Sequence, residues 1–219
     1  MTPTAHGLVG VTDAGAFLAR LTRLDPAALV RMRPATDPAH TALWARLPWQ
    51  VLVTRAVRGA GPGDATVVAA DLLAVLTDGG DGLPPRRDAE WRWPLPSRPG
   101  RVVETVTAQE MVRVAGAAAG TLRTAVTRPV GERAVRDALL DHVPIVVTRA
   151  GEAPIEVPQR LVQAIVRMGF LGRPALSTPE SVQVRVEGVW IGLSAPYGTA
   201  WLRSVSDFSI RPRAGHTNG

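Results

Sequence analysis

Arginine and tryptophan are the side chains best suited to hold a ligand in this chain, and the usual catalytic types are scarce. All 25 of its Lys+Arg positions are arginine, cysteine is absent, and histidine occurs only at positions 6, 40, 142 and 216. Without cysteine there can be no disulfide, thiolate nucleophile, iron–sulfur cluster or cysteine-based zinc site. His6 and His216 fall in segments that read as tails, so proton transfer by imidazole would rest on His40 or His142. Asp141-His142 closes a predicted helix, where a partial positive charge suits the C-terminus, and His40 sits in the turn-like Asp37-Pro38-Ala39-His40-Thr41. Neither has an evident partner in sequence. There is no HExxH, no DxDxDG loop and no carboxylate pair at helical spacing, so no metal site is expected. Gly59-Ala60-Gly61-Pro62-Gly63-Asp64 lacks a Gly-Lys-Ser/Thr ending and lies between two strands, which makes it a hairpin loop rather than a phosphate cradle. No Gly-x-Ser-x-Gly elbow is present. The sequence therefore leans away from an enzyme, with no catalytic residue and no cofactor expected.

Recognition is the chemistry that remains. Arg55 and Arg149 end matching strand segments, Val51-Leu52-Val53-Thr54-Arg55-Ala56 and Ile145-Val146-Val147-Thr148-Arg149-Ala150. Strand alternation puts each arginine on the side of two apolar residues. Such an arginine must find an acidic partner or reach the sheet edge. If the halves meet about a twofold axis, both guanidinium groups would face one groove and could bridge a carboxylate or phosphate. Trp49, Tyr197 and Trp201 stand beside prolines or at strand ends, as turn packing or as anchors of a binding surface. Trp91-Arg92-Trp93 has the aromatic and cationic interleaving that stacks on single-stranded nucleic acid.

The formal charge of +6 would also suit an anionic partner. The arginines are nevertheless scattered among 19 acidic residues, unlike a basic nucleic-acid tail, and the missing lysine together with abundant Ala, Gly, Pro and Val looks like the codon bias of a GC-rich genome, the alternative to a functional charge. A protein partner is the first expectation and nucleic acid the alternative. An enzyme with a cleft of arginines and carboxylates is a further alternative. No run of apolar residues is long enough to span a membrane, and the first ten residues lack the basic start and apolar core of a signal peptide. A cytoplasmic location is expected.

The elements that would position these residues come in two similar sets. The matched strand segments lie about 95 residues apart, and Val11-Thr12 and Arg33-Pro34 recur at that spacing as Val106-Thr107 and Arg128-Pro129. The fold class is α+β, a tandem duplication of a unit of about 95 residues (helix, antiparallel strands, helix, strand) forming a pseudo-twofold, two-half protein. Residues 1–9 form an N-terminal tail, 10–77 the first half, 78–100 a Pro/Gly-rich linker, 101–206 the second half and 207–219 a C-terminal tail. Both tails read as disordered.

Thr107 and Glu110 form a capping box ahead of Met111, Val114, Ala118 and Leu122, while Thr12, with Gly15 in place of the glutamate, starts the first-half helix more weakly. Gln50–Arg58 is expected to pair with Ala65–Val68, and Pro144–Arg149 with Pro154–Val157. The stretch from Val130 to His142 reads as helical through Val135, Ala138 and Leu139. Pro158 opens a helix with Leu161, Val162, Ile165 and Met168 on its buried stripe and Gly169 as its C-terminal cap. Val182–Glu187 and Val189–Leu193 form a hairpin, with Trp190 and Trp201 packed on its sheet. Glu90–Trp93 is the one strand expected in the linker.

The stretch Arg55-Ala56-Val57-Arg58-Gly59 leading to Asp64-Ala65-Thr66-Val67-Val68, in a two-half α+β arrangement, resembles the EspG-type chaperones of type VII secretion. That resemblance covers about a tenth of the chain and carries over no functional residue. It implies a secretion chaperone as an alternative to the general reading, a non-catalytic binding or adaptor protein that uses the groove or surface between its halves.

Overall fold

The computed structural model describes residues 4–125, 132–172 and 181–204. The expectations for Arg128-Pro129, His216 and the tail from 207 lie outside these residues, as do those for the side chains of Leu122 and Val135.

Helix α1 (Val11–Leu24) buries Ala14, Phe17, Leu18 and Leu21, the one-face spacing of an amphipathic helix. Its N-cap is Gly10, with no side-chain cap, so Thr12 does not serve as one. Strands β1 (Leu29–Pro34), β2 (His40–Arg46) and β3 (Leu52–Arg58) form an antiparallel meander. β4 (Ala65–Val68) then pairs with β1 rather than with β3, contrary to the expected hairpin. Gly59–Asp64 is therefore a crossing connection over the ends of β1 and β2. It is held there by the Thr41 hydroxyl, which donates to the Gly59 carbonyl at 2.7 Å. Helix α2 (Ala69–Thr77) follows at once.

In the second half, β5 (Arg101–Thr107) precedes α3 (Ala108–Ala125), so this half opens with a strand. Thr107 does cap α3, accepting the Glu110 N–H at 3.2 Å, while the Glu110 carboxylate turns to Arg113. After α4 (Glu132–Asp141), β6 (Ile145–Val147) and β7 (Ile155–Val157) pair in a small sheet of their own. Helix α5 (Gln159–Arg167) has Pro158 at its N-cap, one position earlier than expected, and buries Leu161, Val162 and Ile165. Gly169 takes the left-handed conformation just beyond it, at φ 65°. Strands β8 (Ser181–Glu187), β9 (Trp190–Ala195) and β10 (Gly198–Arg203) complete the chain.

Helix, antiparallel strands and helix recur along the chain, as α1, β1 to β4 and α2, and as α3 and α4, β6 and β7, and α5. The difference between the copies has a clear cause. In the first half β1 and β2 insert between β3 and β4; the corresponding stretch of the second half is helical, so β6 and β7 close directly on each other.

The large sheet has eight strands in the order β4-β1-β2-β3-β10-β9-β8-β5. Each half supplies four neighbours, a three-strand meander preceded by a helix plus one strand that runs directly into a helix. Pairing of β3 with β10 joins them. Alternation assigns the two faces: Leu43, Ala45, Val53 and Val57 are buried under the helices, while Trp44, Ala56 and Arg58 turn to the other side. α1 packs on α2 and α3 on α5, and the Phe17 and Phe170 rings stack across the halves with centroids 6.3 Å apart.

Two segments expected to be loose are built into the fold. His6 and Leu8 are buried rather than part of a tail. The Leu8 N–H donates to His6 Nδ1 at 3.0 Å and His6 Nε2 lies 3.0 Å from the Gly80 carbonyl, which fixes the chain start to the end of α2. The linker, in turn, contains no strand at 90–93. It makes a short 3-10 turn at Asp88–Glu90 and then runs over the open face of the sheet as a strap. At one end the Arg87 N–H donates to the Thr66 carbonyl on β4; at the other, Arg185 on β8 donates to the carbonyls of Pro99 and Gly100.

The crossing connection and the N-terminal segment touch at Gly59, whose φ is 120° and where a Cβ would lie 2.4 Å from the Gly7 carbonyl oxygen and 2.6 Å from the Val9 nitrogen. Gly63 also has positive φ but meets nothing within 4 Å. Gly59→Ala should therefore lose roughly 1–3 kcal/mol more stability than Gly63→Ala in denaturant unfolding. Equal losses would show that the close approach contributes nothing.

Candidate binding grooves on the open sheet face

Two open grooves flank the strap. The first, of about 730 Å³, lies where β3 and β10 meet and is lined by Thr54, Arg55, Arg98, Pro99, Tyr197 and Trp201 among others. Both halves contribute to it. Arg55 Nη2 donates to Asp13 Oδ1 of α1 at 2.6 Å, and the same guanidinium lies 5.4 Å from the centre of the Tyr197 ring. The arginine side chain is 10% exposed and the aspartate 59%, so the charge is balanced at the rim of the sheet. Tyr197 is held by its backbone N–H, which donates to the Phe170 carbonyl at 3.1 Å, yet its side chain remains exposed. Trp201 is 3% exposed. It lies flat on β9, where a Cβ at Gly192 would come within 2.6 Å of its ring.

The second groove, of about 880 Å³, opens between the strap, the far ends of β9 and β10, and the segment of β7. Its centre is a stack: the Arg46 guanidinium lies 3.5 Å from the centroid of the Trp93 ring. Burial lowers the Arg46 pKa from its usual value, with no acidic group to offset the effect. Among the described residues Arg46 has no carboxylate partner. Arg160, also in this groove, is paired with Asp141.

The residues singled out from sequence thus divide. Arg55, Tyr197 and Trp201 meet in the first groove. Trp49 does not join them; its indole N–H donates to the Arg160 carbonyl at 3.1 Å and the Arg167 guanidinium sits 5.6 Å from its ring, so it ties the β2–β3 turn to α5. Arg149 lies exposed beyond β6, beside Glu152 and remote from Arg55. The two arginines correspond along the chain but not in space, because β3 is central in the large sheet whereas β6 belongs to the small one. Arg46 was not singled out from the sequence, and Trp93 only as part of its triplet. Of the remaining histidines, His40 pairs with Asp37 at 2.8 Å and His142 is exposed at the end of α4, neither of them lining a groove.

A charged network lies where the strap meets the first half, and Arg86 of the strap donates to the Asp64 backbone carbonyl there at 2.7 Å. Arg31 makes a two-point contact with Asp64 at 2.7 and 2.8 Å, Arg33 approaches the same carboxylate at 3.5 Å, and Arg86 donates to Asp88 at 2.7 Å. Asp88 also accepts the Thr66 N–H at 2.7 Å, blunting the edge of β4. Trp91 packs beside Arg31, 5.9 Å from the guanidinium. The Arg31 hydrogen bond holds the Asp64 carboxyl below its ordinary 3.8, and the Asp64 hydrogen bond raises the Arg31 pKa in return.

A model for a domain of unknown function, DUF8185, matches residues 95–207, more than half of the chain. The chain belongs to this family. A second model, that of the domain of unknown function DUF8010, matches residues 8–93, so the two meet within the strap. No curated protein matches the chain by sequence. Among solved structures, the fold is similar to bacterial sliding clamps. The DNA polymerase III beta chain of Streptococcus pneumoniae TIGR4 aligns with a TM-score of 0.58 at 9% identity, over 92% of this chain and 65% of that one. For the sliding clamp of Bartonella birtlesii the values are 0.56, 13%, 93% and 66%; for the DNA polymerase beta subunit of Streptococcus pyogenes they are 0.55, 10%, 90% and 64%. The chain spans less than two thirds of the length of each of these proteins. The likeness establishes a pseudo-repeated, sliding-clamp-like fold. Among the described residues no helix is long and apolar enough to cross a membrane.

Because the Asp64 pKa is lowered on folding, its contribution to stability is present above the unfolded carboxylate range and is lost as pH falls through the folded value. Asp64→Asn should unfold at lower denaturant concentration than the parent at pH 7, with the gap closing progressively below about pH 4. A gap that stays constant down to pH 2 would show that the carboxylate charge does not contribute to stability.

Proposed function

We propose that this protein is a non-catalytic adaptor working in the cytoplasm, and that it binds a protein partner in the groove where its two halves meet. The observation that carries the reading is the Asp13–Arg55–Tyr197 cluster. It offers an exposed aromatic ring backed by an arginine whose charge is already balanced, on a rigid sheet to which both halves contribute. Aromatic and arginine side chains are the usual anchors of protein interfaces, and prior pairing of the arginine avoids leaving a buried charge unmatched when water is expelled. The sliding-clamp-like fold supports a binding role, since the solved structures of that fold are named as subunits of a DNA polymerase. By extension, the partner belongs to DNA-associated machinery. The EspG-type resemblance would place a secreted substrate in the same groove, but its residues, 55–68, lie mainly on β3, the crossing connection and β4 rather than around Tyr197.

A photo-crosslinking amino acid at position 197, compared with the same residue at Ala74 on the helix layer, tests the assignment in cells. A discrete protein adduct is expected at 197 and not at 74, and Arg55→Ala in the same chain should reduce it several-fold. Adducts at both positions alike, or at neither, would overturn the proposed groove.

A further inference from the structure

The second groove has the same pairing of arginine with an exposed ring, but a different charge balance. Among the described residues, the exposed aromatic side chains are Tyr197 and Trp93, 43% and 42% accessible, one in each groove. The arginine at Tyr197 is neutralised by Asp13; the arginine at Trp93 has no acidic partner. We infer that the groove around Arg46 and Trp93 binds single-stranded nucleic acid, with a base stacked on Trp93 and phosphates taken by Arg46, Arg92 and Arg203. This site is separate from the proposed protein-docking groove and does not depend on it.

The assignment follows from the arginines of the open face. Arg31 and Arg33 are committed to Asp64, and Arg185 donates to the carbonyls of Pro99 and Gly100 and to Gln183. Arg58 stands at the opposite end of β3. That leaves Arg46 and Arg203 on the sheet and Arg92 on the strap, which line the groove that holds Trp93, and Arg98 of the strap, which lines the first groove. The acidic groups there are Asp141, already paired with Arg160, and Glu156. Positive charge without an acidic partner thus lies beside an exposed indole, and one face of that indole is already covered by a guanidinium. Cation and ring together stack bases without regard to sequence. The three arginines come from β2, the strap and β10 and are spread along an open groove, which suits successive phosphates of a strand better than a single anion. A duplex would bury its base faces and could not use Trp93.

The test is anisotropy of a labelled 12-nucleotide single strand of mixed sequence with the full chain, at about 50 and 200 mM salt. Binding is expected to weaken with salt at a log–log slope of about −2, for three phosphates contacted. Trp93→Ala should weaken it about ten-fold and Trp93→Phe much less, while Arg46→Ala should make the slope shallower by about 0.7. Trp93 is exposed, so its removal opens no core, and a thermal melt of each variant verifies folding. Tyr197→Ala should leave this binding unchanged, which separates it from the protein-docking reading. The inference is overturned by no binding at the lower salt, by equal affinity for a duplex of the same length, by indifference to Trp93→Ala, or by adenosine monophosphate binding as tightly as the strand.

Discussion

Leu52, Val53 and Thr54 on β3 pair with Trp201, Ala200 and Thr199 on β10, and this short ladder turns two four-stranded sheets into one of eight strands. Each half on its own would leave a central strand edge open, a row of unpaired N–H and carbonyl groups that seeks another strand. Beneath the ladder the Phe17 and Phe170 rings stack, so the apolar layer is continuous across the same line. An aromatic pair of this kind adds roughly 0.5–1.5 kcal/mol beyond its buried area. The ladder also creates the first groove. β3 continues past the start of β10, and the turn carrying Tyr197 rises beside the overhanging strand.

The strap follows from a second constraint, the open face of the same sheet. That face carries Trp44, Trp190 and Trp201 among its arginines, and the apolar rings would face water if nothing crossed them. A segment rich in proline and glycine cannot offer a regular ladder of donors, so it is held by side chains. Asp88 accepts the Thr66 N–H, Arg86 donates to the Asp64 carbonyl, Ser97 donates to Glu187, and two tryptophans stack beside arginines. Surface contacts of this sort contribute little singly. Their combined effect is directional: they set where Trp93 sits, and therefore where the second groove opens.

Much of this was legible in the sequence. Strand patterning gave β8 and β9, and apolar spacing gave α1 and α5, because both depend on a single buried face that local order records. The tandem repeat was legible for the same reason. What sequence could not supply was which strand lies beside which. Val-Thr-Arg-Ala lies within β3 and recurs with identical letters from the last residue of β6 onward, yet one strand is central in the large sheet and the other is paired only with β7. Strand neighbours are decided by what is inserted between them, and β1 and β2 separate β3 from β4 only once the chain has folded. His6 was missed for a related reason: its ring is satisfied by Gly80, far along the chain, and a histidine near a terminus carries no local mark of such a partner.

The two arginine–aromatic clusters show why residue type alone underdetermined the site. Arg55 and Arg46 lie on neighbouring strands of one sheet, each with its guanidinium near an exposed ring. Alternation sends Arg55 toward the helix layer, where the first turn of α1 supplies Asp13, and sends Arg46 to the open face, where the strap supplies only an indole. A neutral pair and a free cation demand different partners. Burying the first against a protein surface leaves no net charge stranded, whereas covering the second without an anion would forfeit its solvation. The face of the sheet on which each arginine falls, rather than its presence in the sequence, therefore decides which class of molecule each groove can accept.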